Sequence, residues 1–197
     1  MKLCPSVKNG LHFSCKQCGK CCSNEQDGYV FIYQEDIDNI CKNLKISEED
    51  LAEKYFSTTD YDYDLWDENL GETKKTKVYP TLILNNEKNQ NCAFLIEAEG
   101  KKLCKIYKSR PLQCKIFPFW NVIITSEEFF LSASHSCPGI NCSEDTKGFF
   151  SPEKIKELVY LERKMEYDYY TKMKNCDFEM NEVYPFLKKI KPLSKKK

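Results

Sequence analysis

Apolar residues at Ile37, Ile40, Cys41 and Leu44 recur at helical spacing and predict a helix over Glu35–Leu44. Ser47, with Asp50 three positions later, resembles a capping box and starts a second helix that runs to about Phe56. The two read as a helical hairpin. A third periodic stretch opens at Ser151 and Pro152, an N-cap followed by a proline at the first helical position. It carries Ile155, Leu158, Val159, Leu161, Met165 and Tyr169 as apolar positions and predicts a long helix to about Lys174. Short runs rich in β-branched and aromatic residues predict strands at YVFIYQ (29–34) and YPTLIL (79–84). AFLIE and LCKIY, turning at Glu99–Gly100, predict a hairpin, and NVIIT with FFLSAS predicts a further strand pair.

Two stretches lack either period. Residues 1–28 are rich in Cys, Lys and Gly and read as a loop organised by something other than a core. Residues 58–77 are acidic and Tyr-rich, then basic, and read as a long connection or insertion. The chain is therefore expected to be α+β: a small, loop-rich, metal-organised domain with short strands and hairpins, a helical hairpin and a long C-terminal helix. The expected division is a cysteine-cluster metal-binding domain at 1–150 with an insertion at about 57–78, a helical extension at 151–187 and a basic tail at 188–197.

Composition narrows the function. Thirty basic residues balance thirty acidic ones, so no bulk field draws the chain to nucleic acid or to an anionic membrane. No apolar run is long enough to span a bilayer. The opening MKLCPSVKNG has no apolar segment of the secretory kind, so a reducing cytoplasm is the expected compartment. Twelve cysteines in such a chain read as metal ligands rather than as a disulfide framework, which belongs to small secreted domains.

The cysteines fall into three groups. Cys15, Cys18, Cys21 and Cys22 crowd into eight residues. Cys92 is followed by Cys104 and Cys114, and Cys137 precedes Pro138-Gly139. Cys4, Cys41, Cys142 and Cys176 lie outside these groups. A C-x2-C step lets two sulfurs converge on one ion, and structural zinc usually takes two such pairs. A close triplet plus a distant Cys-Pro is instead the spacing of ferredoxin-type runs. That favours an iron–sulfur cluster, 4Fe–4S in type, over Zn.

The adjacent pair Cys21–Cys22 complicates the count. Neighbouring side chains diverge by about 100° in a helix and about 180° in a strand, so both sulfurs are not expected on one ion. Eight cysteines suit two four-ligand sites, or one site with half left over.

Charge supports thiolates in these segments. Lys16 and Lys20 stand among the first four cysteines, and residues 101–115 carry five Lys plus Arg110, with no acid in either stretch. Cations favour thiolate over thiol. Only two of the thirty basic residues are Arg, which marks out Arg110. A scaffold role is expected for it, forked onto a carboxylate or loop carbonyls. Phe94, Tyr107, Phe117, Phe119 and Trp120 are expected to wall the site from water. His12 and His135 are expected to pack or hydrogen-bond rather than to ligate.

FSCKQCGKCC, CAFL, CKIYKSRPLQCKIFPF and CPG together resemble the CxxCxxCC cysteine-cluster family, the YkgJ-like zinc- or iron-chelating domains, over residues 13 to about 140. The resemblance implies Cys15, Cys18, Cys21, Cys22, Cys92, Cys104, Cys114 and Cys137 as the metal-binding set. It implies a metal rather than a reaction. Flagellin lysine N-methylases carry a similar cluster in a longer chain.

The leading expectation is a cysteine-ligated metal-binding protein with a redox or structural role. Its partners would be a metal ion or cluster and an as yet unidentified protein, with no membrane and no nucleic acid. Two alternatives stay open: a zinc-stabilised module for protein or RNA interaction, and a cluster-dependent enzyme related to protein lysine N-methylases. No Ser/His/Asp arrangement, phosphate-cradling glycine loop or HExxH is present, so the sequence shows no hydrolytic apparatus.

Overall fold

Apolar side chains segregate into two buried clusters, and the longest helix packs against both. The computed structural model describes residues 1–23, 29–61, 64–67, 72–75, 79–84, 91–140 and 148–189. Within these, helices and short antiparallel strand pairs mix without a central sheet, an α+β arrangement.

The first cluster is built on the helical hairpin. Helix α1 (Gln34–Leu44) and helix α2 (Glu48–Tyr55) bury Ile37, Ile40, Leu51 and Ala52. Ser47 caps α2 by accepting the Asp50 N–H at 3.1 Å, as its spacing predicts. Lys45 turns the chain between the helices in the left-handed region, φ 56°.

Strand β1 (Leu11–His12) pairs with β8 (Phe149–Phe150) far along the chain. Strand β2 (Ser57–Tyr61) pairs with β5 (Tyr79–Ile83), and β3 (Asp64–Asp67) with β4 (Glu72–Lys75). The stretch read as an insertion thus holds three strands. β6 (Leu95–Ala98) and β7 (Lys101–Cys104) form the expected hairpin, with Glu99 and Gly100 both at positive φ in its turn.

Helices α3 (Leu112–Ile116), α4 (Asn121–Thr125) and α5 (Glu127–Ser136) follow, then α6 (Pro152–Asn175) and α7 (Met180–Val183). Ser151 caps α6 and Pro152 opens it, as read from the sequence. Ile155 and Val159, near its start, join the second cluster, with Leu3, Val7, Leu11, Phe119, Ile124 and Phe130. Tyr169 and Met173, near its end, join the first, with Ile32, Leu82, Phe94 and Tyr184. Leu161, expected on the buried face, is 43% exposed.

Three expectations are corrected. NVIIT and FFLSAS are helical, not a strand pair. Ile123 and Ile124 are both buried, and an acid-rich first turn behind the Ser126 cap starts α5. Capping and core burial there override the β preference of the side chains. Residues 29–33 are extended but form no strand, meeting a neighbour only in an isolated bridge from Phe31 to Ile83. Their hydrogen bonds go partly to a side chain, Gln113, instead of to a full ladder. The first residues are not coreless either, since Leu3, Cys4, Val7 and Leu11 are buried. The loop at 85–90 and the basic tail from 190 lie outside the described residues.

Candidate metal centre

Each cysteine-bearing segment is fixed by local chemistry. The opening cluster ends in a 3₁₀ turn, Lys20–Cys22, preceded by Gly19 at φ 73°. The amides of Cys22 and Ser23 both donate to the Gly19 carbonyl, at 3.0 Å each. A side chain at Gly19 is excluded twice: by its left-handed backbone, and by Lys102 Cβ, which would lie 2.4 Å from an added Cβ. The tight turn holds the sulfurs of Cys21 and Cys22 at 3.8 Å, so the divergence expected of neighbours does not occur.

The second segment is joined to the first through the backbone. The Cys92 amide donates to the Cys22 carbonyl at 2.8 Å. Cys104 ends β7 opposite Leu95, so the hairpin carries one cysteine just before it and another at its end.

Cys114 rides on α3, a single short helix that needs outside partners. Buried Asp36, in the first turn of α1, accepts the Leu112 N–H on Oδ1 at 2.8 Å. Its other oxygen accepts the Tyr33 N–H at 3.4 Å. Burial pushes the Asp36 carboxyl up to about 6, against the pull of those two amides. Gln113 reaches the other way, accepting from the Phe31 amide at 2.7 Å and donating to the Tyr29 carbonyl at 3.1 Å.

Cys137 follows α5. The Ser14 amide donates to the Gly139 carbonyl at 3.0 Å, which brings the CPG turn against the start of the cysteine cluster. An added Cβ at Gly139 would lie 2.3 Å from the Ser14 carbonyl oxygen, so only glycine permits this approach.

All eight cysteines of the predicted set line one cavity of about 70 Å³: Cys15, Cys18, Cys21, Cys22, Cys92, Cys104, Cys114 and Cys137. The cavity lies between the two cores. Cys22, Cys92, Cys104 and Cys114 belong to or pack on the first, while Cys137, Phe13 and Phe117 pack on the second. Cys15 and Cys21 are exposed at its rim and Cys92 is buried. Cys4 is buried in the second core and, with Cys41 and Cys176, does not line the cavity. Cys142 lies outside the described residues.

The lining includes Lys16, Lys20, Lys102 and Arg110 and, among the described residues, no Asp, Glu or His. His135 is turned to its own helix, with Nδ1 2.6 Å from the Leu131 carbonyl, and His12 packs on Phe149. Of the aromatics expected to wall the site, Tyr107 and Phe117 do so. Phe94 and Phe119 are core residues instead, and Trp120 packs against the second core. Among the described residues Arg110 takes neither a carboxylate nor a loop carbonyl. It lies over the Tyr107 ring, 4.0 Å from the centroid, and its buried Nε has no hydrogen-bond partner.

Burial holds the inner thiols in the protonated form. It pushes Cys92 up to about 11 and raises Cys104, Cys137 and above all Cys114. Facing thiols add to this: Cys114 is raised further by Cys92, Cys21 and Cys104, and Cys137 by Cys18. The Cys22 sulfur is the largest influence raising Cys21. A bound cation reverses that balance, since thiolate ligation displaces the proton. Among the described residues no three Cys, His, Asp or Glu side chains already converge as on a single ion. The sulfurs line the wall of the cavity. A donor set of thiols alone, with cations and no carboxylate, fits zinc or iron–sulfur chemistry and not Mg²⁺ or Ca²⁺.

Asp36 and Gln113 were not singled out from the sequence. An acid in the first turn of a predicted helix was the one visible signal, for Asp36. No helix of the described residues is long and apolar enough to cross a membrane. No solved structure matches the chain. A family model matches residues 14–138, which takes in every cysteine of the cavity. The chain therefore belongs to the CxxCxxCC family, described as “Putative zinc- or iron-chelating domain”.

Proposed function

We propose that this chain is a cysteine-ligated metal protein that holds an iron–sulfur centre in the cavity between its two cores, for a redox or structural purpose. The observation that carries the reading is the donor set: eight thiols and four cations on one cavity wall, with no carboxylate or imidazole among the described lining residues. A zinc site of the structural kind gathers four ligands tetrahedrally about a point. Thiols spread around a volume of about 70 Å³ suit a centre with bulk of its own. The eight thiols would supply the ligands, Cys92 from the buried side of the wall and Cys15 and Cys21 from its rim. When bound, such a centre supplies one-electron chemistry or a cross-link between segments. The chain's own contribution is to orient the thiols, exclude water with Phe13, Leu84, Leu103 and Phe117, and offset the negative charge with its cations.

The test is metal analysis of protein purified without oxygen, counting iron, acid-labile sulfide and zinc per chain. A brown protein with broad visible absorption and matching iron and sulfide is expected. A colourless protein with stoichiometric zinc overturns the iron assignment. A chain that takes up neither metal, even after reconstitution, overturns the reading altogether.

A further inference from the structure

We propose that Arg110 is the built-in counter-charge of the bound centre, donating N–H···S hydrogen bonds to metal-bound thiolates of the cavity wall, and that Tyr107 holds it in place. The inference rests on the metal reading above and adds a positioning residue to it.

Three observations lead to this assignment. Arg110 lines the cysteine cavity. Its Nε is buried and, among the described residues, has no hydrogen-bond partner. Its Cζ lies 4.0 Å from the centre of the Tyr107 ring, and Pro111, the cap of α3, follows it directly. A guanidinium carries donors in a rigid fork and keeps its charge at every physiological pH, so leaving its buried Nε–H unpaired beside eight sulfurs is a costly arrangement unless the sulfurs become its partners. Neutral thiols are poor acceptors. Thiolates are strong ones, and metal binding is the event that makes them.

The other cations on the wall are placed differently. Lys16 and Lys20 sit on the cysteine loop itself, and the stem of Lys102 is packed over Gly19. Arg110 instead stands within the turn that separates Cys104 from Cys114. Its position explains why a chain that otherwise uses Lys places one of its two arginines there.

The test uses Co²⁺ as the probe, added without oxygen to metal-stripped full-length protein and its Arg110→Gln, Arg110→Lys and Tyr107→Leu variants. Outer partners of metal ligands typically change affinity by about 10–100-fold. Arg110→Gln should weaken Co²⁺ binding by about that factor and move the sulfur-to-cobalt charge-transfer band to lower energy, because the thiolates lose their hydrogen bonds. Arg110→Lys, with charge but no fork, should fall between. Tyr107 is 40% exposed, so Tyr107→Leu leaves the core intact, and it should shift the band in the same direction. A purely structural role for Arg110 would lower the melting temperature of the metal-free protein and leave the band unmoved. Wild-type affinity and an unmoved band in Arg110→Gln overturn the inference. Should Arg110→Gln fail to fold, an unmoved band in Tyr107→Leu overturns it equally. If wild-type protein shows no sulfur-to-cobalt band at all, the metal reading falls and this inference with it.

Discussion

Asp36 Oδ1 accepts the backbone N–H of Leu112 at 2.8 Å, across 76 residues of sequence. That bond links the first turn of α1 to the first turn of α3, and so links the first core to the helix that carries Cys114. The same carboxylate takes the Tyr33 amide, so one buried side chain serves two helix starts. Removing it takes the Asp36 acceptor from both amides. An unsatisfied buried group costs about 1–3 kcal/mol. Asp36→Ala should therefore destabilise the metal-free protein by about 2–4 kcal/mol, with a smaller loss for Asp36→Asn, which keeps one acceptor oxygen. Urea unfolding curves of the three proteins measure this. Equal midpoints would show that the carboxylate does not hold α3.

Two glycines with nearly the same backbone should behave differently. Gly19 and Gly100 have φ of 73° and 71°. The left-handed region costs a residue with a Cβ about 1–2 kcal/mol. An added Cβ at Gly100 meets nothing within 4 Å, so Gly100→Ala should cost only that. At Gly19 the same atom would lie 2.4 Å from Lys102 Cβ, so the alanine must also push the β6–β7 hairpin off the cysteine turn. Gly19→Ala should therefore lose bound metal while Gly100→Ala retains it, as measured by metal per chain after gel filtration. Equal retention would mean that the hairpin contact does not shape the cavity.

The elements that local pattern decides were legible in the sequence. Ser47 and Ser151 cap where their spacing places them, and Glu99–Gly100 turns the hairpin. The eight cavity cysteines were legible because their chemistry is unusual and their spacing dense. What could not be read depends on distant partners. Ile123 and Ile124 look like a strand until the second core buries them in a helix. Tyr29–Tyr33 looks like a strand until the Gln113 side chain takes hydrogen bonds that a full ladder would have supplied. Arg110 was expected to fork onto a carboxylate or carbonyls. The fold instead sets it over the Tyr107 ring on the wall of the cysteine cavity.

Helix α6 carries a pH dependence of its own. Half-buried Glu162 accepts the Asn121 amide at 2.6 Å, and half-buried Glu166 lies one turn further along. Burial raises Glu162 to about 7 and Glu166 to about 8, with Glu162 adding to the rise of Glu166. Both folded values exceed the ordinary carboxylate value of 4.5. Above that value the unfolded chain releases protons that the folded one keeps, so stability falls as pH climbs toward 7 and 8 and levels off beyond. Glu166→Gln removes the later part of that fall. Partial exposure screens the effect to the order of 1 kcal/mol, or about 2–4 °C in Tm. Thermal melts at pH 5.5 and 8.5 should show a larger drop for wild type than for Glu166→Gln. A parallel drop would place the pH sensitivity elsewhere.

Metal removal should loosen the cavity and spare the cores. A bound structural metal can stabilise its fold by about 10–16 kcal/mol, which in a small finger is all the stability there is. Here Ile155 and Val159 anchor one end of α6 in the second core, and Tyr169 and Met173 anchor the other in the first. Among the described residues, backbone bonds tie the cavity segments to one another, Cys92 to Cys22 and Ser14 to Gly139. Without metal the thiols stay neutral, held protonated by burial, and add no cross-link between the segments. Hydrogen exchange before and after chelation separates the two cases. The amides of Ser14 and Cys92 should exchange at least about tenfold faster in the stripped protein, the result of losing about 1.4 kcal/mol of local protection. Those of Val159 and Met173 should keep their rates. If the α6 amides open together with Ser14 and Cys92, the metal organises the entire chain and the two hydrophobic clusters are not self-sufficient.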